Sequence, residues 1–291
     1  MKQIIIEYKM EANKLYQQLE RDFMKPEMSD DWWWHMESLE EFVSGNFKRR
    51  SMGLVCDFAV EVEKVYTAVF PSNSVMEKIL NDGAANTMLF VHHPMVWDIR
   101  NAVAFSPMDK SLLAKFRDGK ISIFNFHVPL DNFGSYSTSV SLAWALGFEI
   151  EKPFAPYLGG LCGVFCKTDS VFANDLKNKF ETVVGHKIGL YQYGSDEINN
   201  GIVAVVAGGG NSVDALQEMS DEGVGTLLTG ISVRNEISRA AHEFAQECKI
   251  NLLGGTHYST EKFACIAMVD YFKNLGLPAE FVADIPVMED M

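Results

Sequence analysis

The chain reads as an α/β protein built from two α/β domains, and three observations predict this. Strand-like and helix-like runs alternate: residues 64–70, 73–80 and 87–91 give strand, helix and strand, and the same order recurs after residue 200. Met88-Leu89-Phe90-Val91 is apolar without interruption, as in a strand covered on both faces. A length of 291 residues, 47% hydrophobic and 22% charged, suits two domains with a sizeable core.

Taken in order, apolar residues at three- and four-residue spacing predict an amphipathic helix over 10–23. Ser29-Asp30 can cap a second helix running through Glu41. That helix would carry Trp32, Trp33 and Trp34, which fan out at roughly 100° per residue and so cannot share one buried stripe. Core packing plus a subunit interface is preferred for them over a substrate-stacking lid. After the strand at 87–91 come a helix over 109–116, a strand over 121–126, a polar turn over 132–136, and a helix over 137–146 closed by Gly147.

Two prolines and two glycines between Pro153 and Gly160 interrupt the pattern and mark the expected domain boundary. Beyond it lie an apolar run at 161–166, a helix near 171–180, a strand over 201–207, a helix near 213–219 and a strand over 226–228. A helix over 236–248, a strand over 250–253 and a helix over 260–275 complete the chain. Gly208-Gly209-Gly210 lacks both the Walker ending and the Gly-x-Gly-x-x-Gly spacing, so a steric turn is preferred over a phosphate cradle.

A net charge of -14, with Lys and Arg scattered apart from Lys48-Arg49-Arg50, disfavours nucleic-acid binding. The apolar run at 4–6 is too short for a signal-peptide core or a membrane span, which makes the cytoplasm the expected location. Cys56, Cys162, Cys166, Cys248 and Cys265 contain no Cys-x-x-Cys pair, so neither a disulfide framework nor a thiolate zinc site is indicated, and all five are read as buried thiols.

The chemistry concentrates in Val91-His92-His93-Pro94, His127-Val128-Pro129-Leu130-Asp131 and Gly255-Thr256-His257-Tyr258-Ser259-Thr260-Glu261. These stretches hold four of the seven histidines beside two carboxylates. Imidazole nitrogen together with carboxylate oxygen suits Zn, Fe, Mn, Co or Ni, and the inventory is that of a two-metal site. The first two groups fall at the carboxyl ends of expected strands, where α/β proteins collect ligands. Adjacent side chains of an ideal strand diverge, so His92 and His93 converge only if the strand ends there, as Pro94 favours. His257 and Glu261, four residues apart, share a face if the helix already begins at 257. A single histidine near a strand end is more often structural, and His35, His186 and His242 are read as surface or core residues.

These motifs occur in one order with Met52-Gly53-Leu54-Val55, the triple-glycine turn and Thr229-Gly230, and with them the chain resembles the NIF-three-like family of dinuclear-metal proteins, also labelled GTP cyclohydrolase type 2 homologues. The resemblance implies a metal-bearing α/β domain assembled from both chain ends, residues 1–156 and 251–291, around an inserted middle α/β domain, 157–250. It also implies a ring-shaped homohexamer. His92, His93, Asp131, His257 and Glu261 would hold two divalent ions per subunit, with Glu261 bridging and His127 in or beside the ligand set. The chain departs from the family at Val128-Pro129, where Thr-Asn is usual, at Ile231, where an acidic residue is common, and in its Trp-rich amino-terminal stretch.

The expected function is a metal-dependent hydrolase of a nucleotide-like or phosphorylated small molecule, with His127 as the catalytic proton carrier beside the ion pair. The alternative is a metal carrier or regulatory binding protein using the same ligands without turnover.

Overall fold

The computed structural model describes residues 9–97 and 105–291; the apolar run at 4–6 lies outside them. Two compact units are present, one of Met1–Pro129 with Cys265–Asp284 and the other of Leu130–Ala264 with Ile285–Met291. Among the described residues no helix is long and apolar enough to cross a membrane.

The first unit is organised by a five-stranded sheet in the order Ala279–Phe281, Lys64–Ala68, Thr87–Val91, Ile121–Asn125, Gly53–Cys56. The first four strands are parallel and the last runs antiparallel at the edge. Val91 pairs with both Ala68 and Asn125, so three carboxyl ends finish level. Every residue of Thr87–Val91 and Ile121–Asn125 is buried, which is why these strands lack polar alternation.

Leu89, Val91 and Ile123 pack with Val75, Met76 and Ile79 of helix Asn73–Asn81 and with Leu112, Leu113 and Phe116 of helix Lys110–Asp118. Ser72 and Asp109 start those helices by accepting hydrogen bonds from backbone N–H groups of the first turn. The opposite face is aromatic, where Phe90 meets Phe126 and Phe272 at centroid distances of 5.9 and 5.6 Å. Helix Ala12–Phe23 buries Ala12, Leu15, Tyr16 and Leu19, and Tyr16 stacks on Phe124. Each such fully buried aliphatic or aromatic side chain contributes about 1.5–3 kcal/mol.

The expected second helix through Glu41 is absent. Two 3₁₀ turns, Trp32–His35 and Glu37–Leu39, take its place, followed by helix Gly45–Arg50. Three consecutive tryptophans cannot all face one side of an α-helix, and the tighter turn sends Trp32 inward while Trp34 stays 73% exposed.

The second unit carries a six-stranded sheet in the order Gly189–Tyr191, Asn251–Gly254, Thr226–Thr229, Ile202–Val206, Gly160–Lys167, Glu149–Tyr157. The Asn251, Thr226 and Ile202 strands are mutually parallel and the outer strands antiparallel. Side chains alternate between two cores. Val203, Val205, Leu228 and Leu253 face one, with Leu176 and Phe180 of helix Ala173–Val184. Ala204, Val206, Leu227 and Leu252 face the other, with Leu216 of helix Val213–Asp221 and Ala241 of helix Arg239–Glu247.

The division falls elsewhere than expected, at 129/130 and 264/265 rather than 156/157 and 250/251. Pro153 to Gly160 does not separate domains; it forms the turn end of a hairpin whose two-residue turn, Leu158-Gly159, has positive φ at both positions. Pro153 and Pro156 are tolerated because Glu149–Tyr157 is the edge strand, where a missing N–H donor costs no ladder bond. Asn251–Gly254, expected in the metal-bearing domain, is an interior strand of this second sheet.

Candidate metal centre

In the first unit the strand Thr87–Val91 stops one residue before His92. The N–H groups of His92 and His93 still donate to Ala68 O and Val69 O, at 3.2 and 2.9 Å, but the two rings have turned together, with centroids 4.3 Å apart. Asn125, fully buried at the end of the neighbouring strand, donates its amide to the carbonyl of His92 and pins this exit. Two residues further along, the His127 ring stands 4.8 Å from that of His93 and 5.4 Å from that of His92. One ring nitrogen from each of these three buried histidines lies within 4.8 Å of the others, a group that can hold a metal ion.

The donor chemistry fits such an ion. His92 Nδ1 lies 2.9 Å from Phe126 O, so Nδ1 carries the proton and Nε2 the lone pair that a metal requires. Phe70 stacks on His93 at 5.0 Å, and Trp32 stands edge-on to His93 and His127 at 5.7 and 5.2 Å. Asp30 Oδ2 and Trp32 Nε1 both reach His127 Nδ1, at 2.8 and 3.2 Å. Sequence reasoning missed these two partners. Ser-Asp before an expected helix has the signature of a cap, yet the turn that forms is started by Asp31, whose side chain makes no capping bond.

In the second unit helix His257–Asn274 begins at His257, three residues earlier than expected, so His257 and Glu261 do share one face. His257 Nε2 lies 3.0 Å from Glu261 Oε1, and both residues are buried. The first turn is held by Asp290, which accepts the His257 N–H at 2.9 Å, and by Thr256, whose Oγ1 accepts the Ser259 N–H at 3.1 Å. Asp131 closes the short helix Val128–Asp131 and accepts a hydrogen bond from Thr138 Oγ1 at 2.8 Å.

The triple-glycine turn packs directly on this pair. Gly208 has φ of +70°, and a β-carbon there would collide with the Glu261 carboxylate and crowd His257. Its N–H donates to Thr260 Oγ1 and that of Gly210 to Thr229 Oγ1, both at 3.0 Å. Gly208 O in turn accepts from the N–H groups of Gly230 and Ile231 at 2.9 Å. These peptide groups are committed inside the turn, which supports the steric role over an anion cradle.

The remaining histidines have protein partners. His242 is fully buried between Tyr193 OH and Ser232 O, each at 3.0 Å, and His186 Nε2 lies 2.7 Å from Ser259 Oγ. His35 is exposed and leans on Phe105. Of the five cysteines only Cys56, Cys166 and Cys265 are buried; Cys162 and Cys248 are partly exposed. Burial nevertheless pushes the Cys162 and Cys166 thiols up to about 12, so neither supplies a thiolate at neutral pH.

Comparison with known proteins bears on the family and the fold. The GTP cyclohydrolase 1 type 2 homologs of Pyrococcus abyssi and Archaeoglobus fulgidus are each 29% identical to the chain, over 79% and 80% of it and 88% and 89% of their own lengths. Protein ybgI, described as of unknown function, superposes with a TM-score of 0.74 at 20% identity, covering 96% of this chain and all of its own. Reduced HcgD from Methanocaldococcus jannaschii does so with 0.67 at 21%, covering 95% and 99%. At that identity the two structures share the fold. The Duf34/NIF3 (NGG1p interacting factor 3) family model matches residues 37–289, and the chain belongs to that family.

Proposed function

We propose that the chain is a metal-dependent hydrolase of a nucleotide-like or phosphorylated small molecule, with His92, His93, Asp131, His257 and Glu261 holding two divalent ions. The observation that carries this reading is the buried imidazole trio at the level strand ends of the first unit. The His257–Glu261 pair of the second unit supplies the complementary oxygen donor. His127 and Asp131 are four residues apart in the chain. The names of the curated relatives point to the same substrate class.

Nitrogen and oxygen donors in this ratio suit Zn, Fe, Mn, Co or Ni. Two bound ions would supply Lewis-acid polarisation of the electrophile and of the attacking water. The protein's own residues do the rest. Phe126 O fixes the His92 tautomer, Gly208 leaves the space filled by Glu261, which would be a ligand, and Trp32 and Phe70 wall the imidazoles. His127, in or beside the ligand set, would turn Nε2 to the ions or move a proton there, with Asp30 holding Nδ1.

Anaerobic purification with elemental analysis, followed by a screen of nucleotides and phosphoesters with wild type and Glu261→Ala, tests the reading. Turnover by the wild type that Glu261→Ala abolishes supports it. A metal-replete wild type without turnover on any of them shifts the assignment to a metal carrier. Light scattering tests the homohexamer that belongs to the same proposal.

A further inference from the structure

We infer that Asp30 and Trp32 are positioning residues for His127, and that Asp30 fixes which ring nitrogen His127 turns toward its histidine neighbours. The inference rests on the reading of His127, with His92 and His93, as one of three imidazoles that hold an ion.

The Asp30 side chain is 2% exposed and that of His127 is 11% exposed. A carboxylate so withdrawn from water needs partners, and both of its oxygens have one. Oδ1 accepts the Asp31 N–H at 3.0 Å and Oδ2 lies 2.8 Å from His127 Nδ1. The helix that would have given Asp30 a capping role does not form. Trp32, only 5% exposed, brings its indole N–H to within 3.2 Å of the same Nδ1 and packs its ring edge-on against His127, His93 and Phe105.

The two contacts compete. A carboxylate only accepts and an indole N–H only donates, so Nδ1 cannot satisfy both at once. The shorter, charge-assisted bond to Asp30 prevails, which puts the proton on Nδ1 and the lone pair on Nε2. An Nε2–H in its place would turn a Nδ1 lone pair toward the buried carboxylate and a partially positive hydrogen toward any cation held with His92 and His93. Trp32 is the counterweight, because without the carboxylate its N–H draws the Nδ1 lone pair and reverses the tautomer. Asp30 and Trp32 both precede residues 37–289, which the family model matches.

The test uses full-length, ion-free protein labelled with ¹⁵N at histidine. Long-range ¹H–¹⁵N spectra are recorded at neutral pH, the His127 signals being assigned by their loss in His127→Gln. The wild-type ring is expected in the Nδ1–H form, Trp32→Phe retains it, and Asp30→Asn shifts it toward Nε2–H. Calorimetric titration with Co²⁺ is expected to show affinity reduced about 10- to 100-fold in Asp30→Asn and largely recovered in Asp30→Glu. A wild-type ring in the Nε2–H form, an Asp30→Asn ring unchanged from wild type, or Asp30→Asn with full Co²⁺ affinity each overturns the inference. Wild-type protein that takes up no Co²⁺ overturns the metal reading instead, and the spectra then decide the role of Asp30 alone.

Discussion

The β-carbon that Gly208 lacks would fall on the carboxylate of Glu261. The turn after strand Ile202–Val206 therefore forms the back wall of the His257–Glu261 pair. Gly208→Ala is expected to displace Glu261 and to weaken Co²⁺ binding by at least about tenfold, the scale seen when residues supporting a ligand are lost. The left-handed backbone at this position, with φ of +70°, adds strain of about 1–2 kcal/mol, visible in urea unfolding. Full Co²⁺ affinity in the variant would show that the carboxylate does not depend on this wall.

Glu261→Gln separates holding an ion from holding the fold. Glu261 is 2% exposed, and an ionised carboxylate buried to that degree is costly unless something compensates it. Replacing it by the isosteric amide is expected to lower Co²⁺ affinity at least about tenfold. The thermal midpoint in EDTA should stay level or rise, as at sites where stability has been exchanged for function. A midpoint several degrees lower would mean that the pair with His257 serves the helix and not an ion.

Most of the regular elements were legible because each carries its own local signal. The strand expected over 87–91 around the apolar run Met88 to Val91 has those bounds, and the ligand motifs sit at strand ends and on a helix face as their spacing implies. What escaped depended on contacts distant in sequence. Asp30 has the composition of a cap, and only the fold shows that its partner is 97 residues away. The prolines of Glu149–Tyr157 mimic a linker until the strand is seen to occupy a sheet edge. Short strands such as Ala279–Phe281 acquire their identity from the neighbour they pair with, here Lys64–Ala68.

His242 predicts a pH dependence of stability. Burial lowers its pKa below the usual imidazole value near 6.5, and its two bonds suit the neutral ring, with Nε2–H donating to Ser232 O and Nδ1 accepting from Tyr193 OH. The unfolded chain then binds a proton that the folded one resists, so stability rises with pH across the interval between the two values. The contribution is complete above about pH 6.5 and is lost as pH falls toward the lower, folded-state value. Urea midpoints at pH 7.5 and 5.5 should differ less in His242→Gln, which keeps one donor and one acceptor without titrating. An unchanged difference would assign the acid sensitivity to other groups.

Phe90 connects the core to the candidate site. It lies two residues before His92 on a strand buried on both faces, and its ring meets Phe126 and Phe272, the latter on the same helix that begins with His257. Truncation to alanine leaves a cavity that rigid strands on either side cannot close, so Phe90→Ala should cost about 3–5 kcal/mol. Urea unfolding checks this through a lower midpoint at unchanged slope. Because the strand end is also fixed by Asn125 and by the hydrogen bonds of His92 and His93 to Ala68 and Val69, Co²⁺ affinity should fall far less than in Gly208→Ala. A stability loss below about 1 kcal/mol would mean that the aromatic face repacks freely, contrary to the close packing of a buried core.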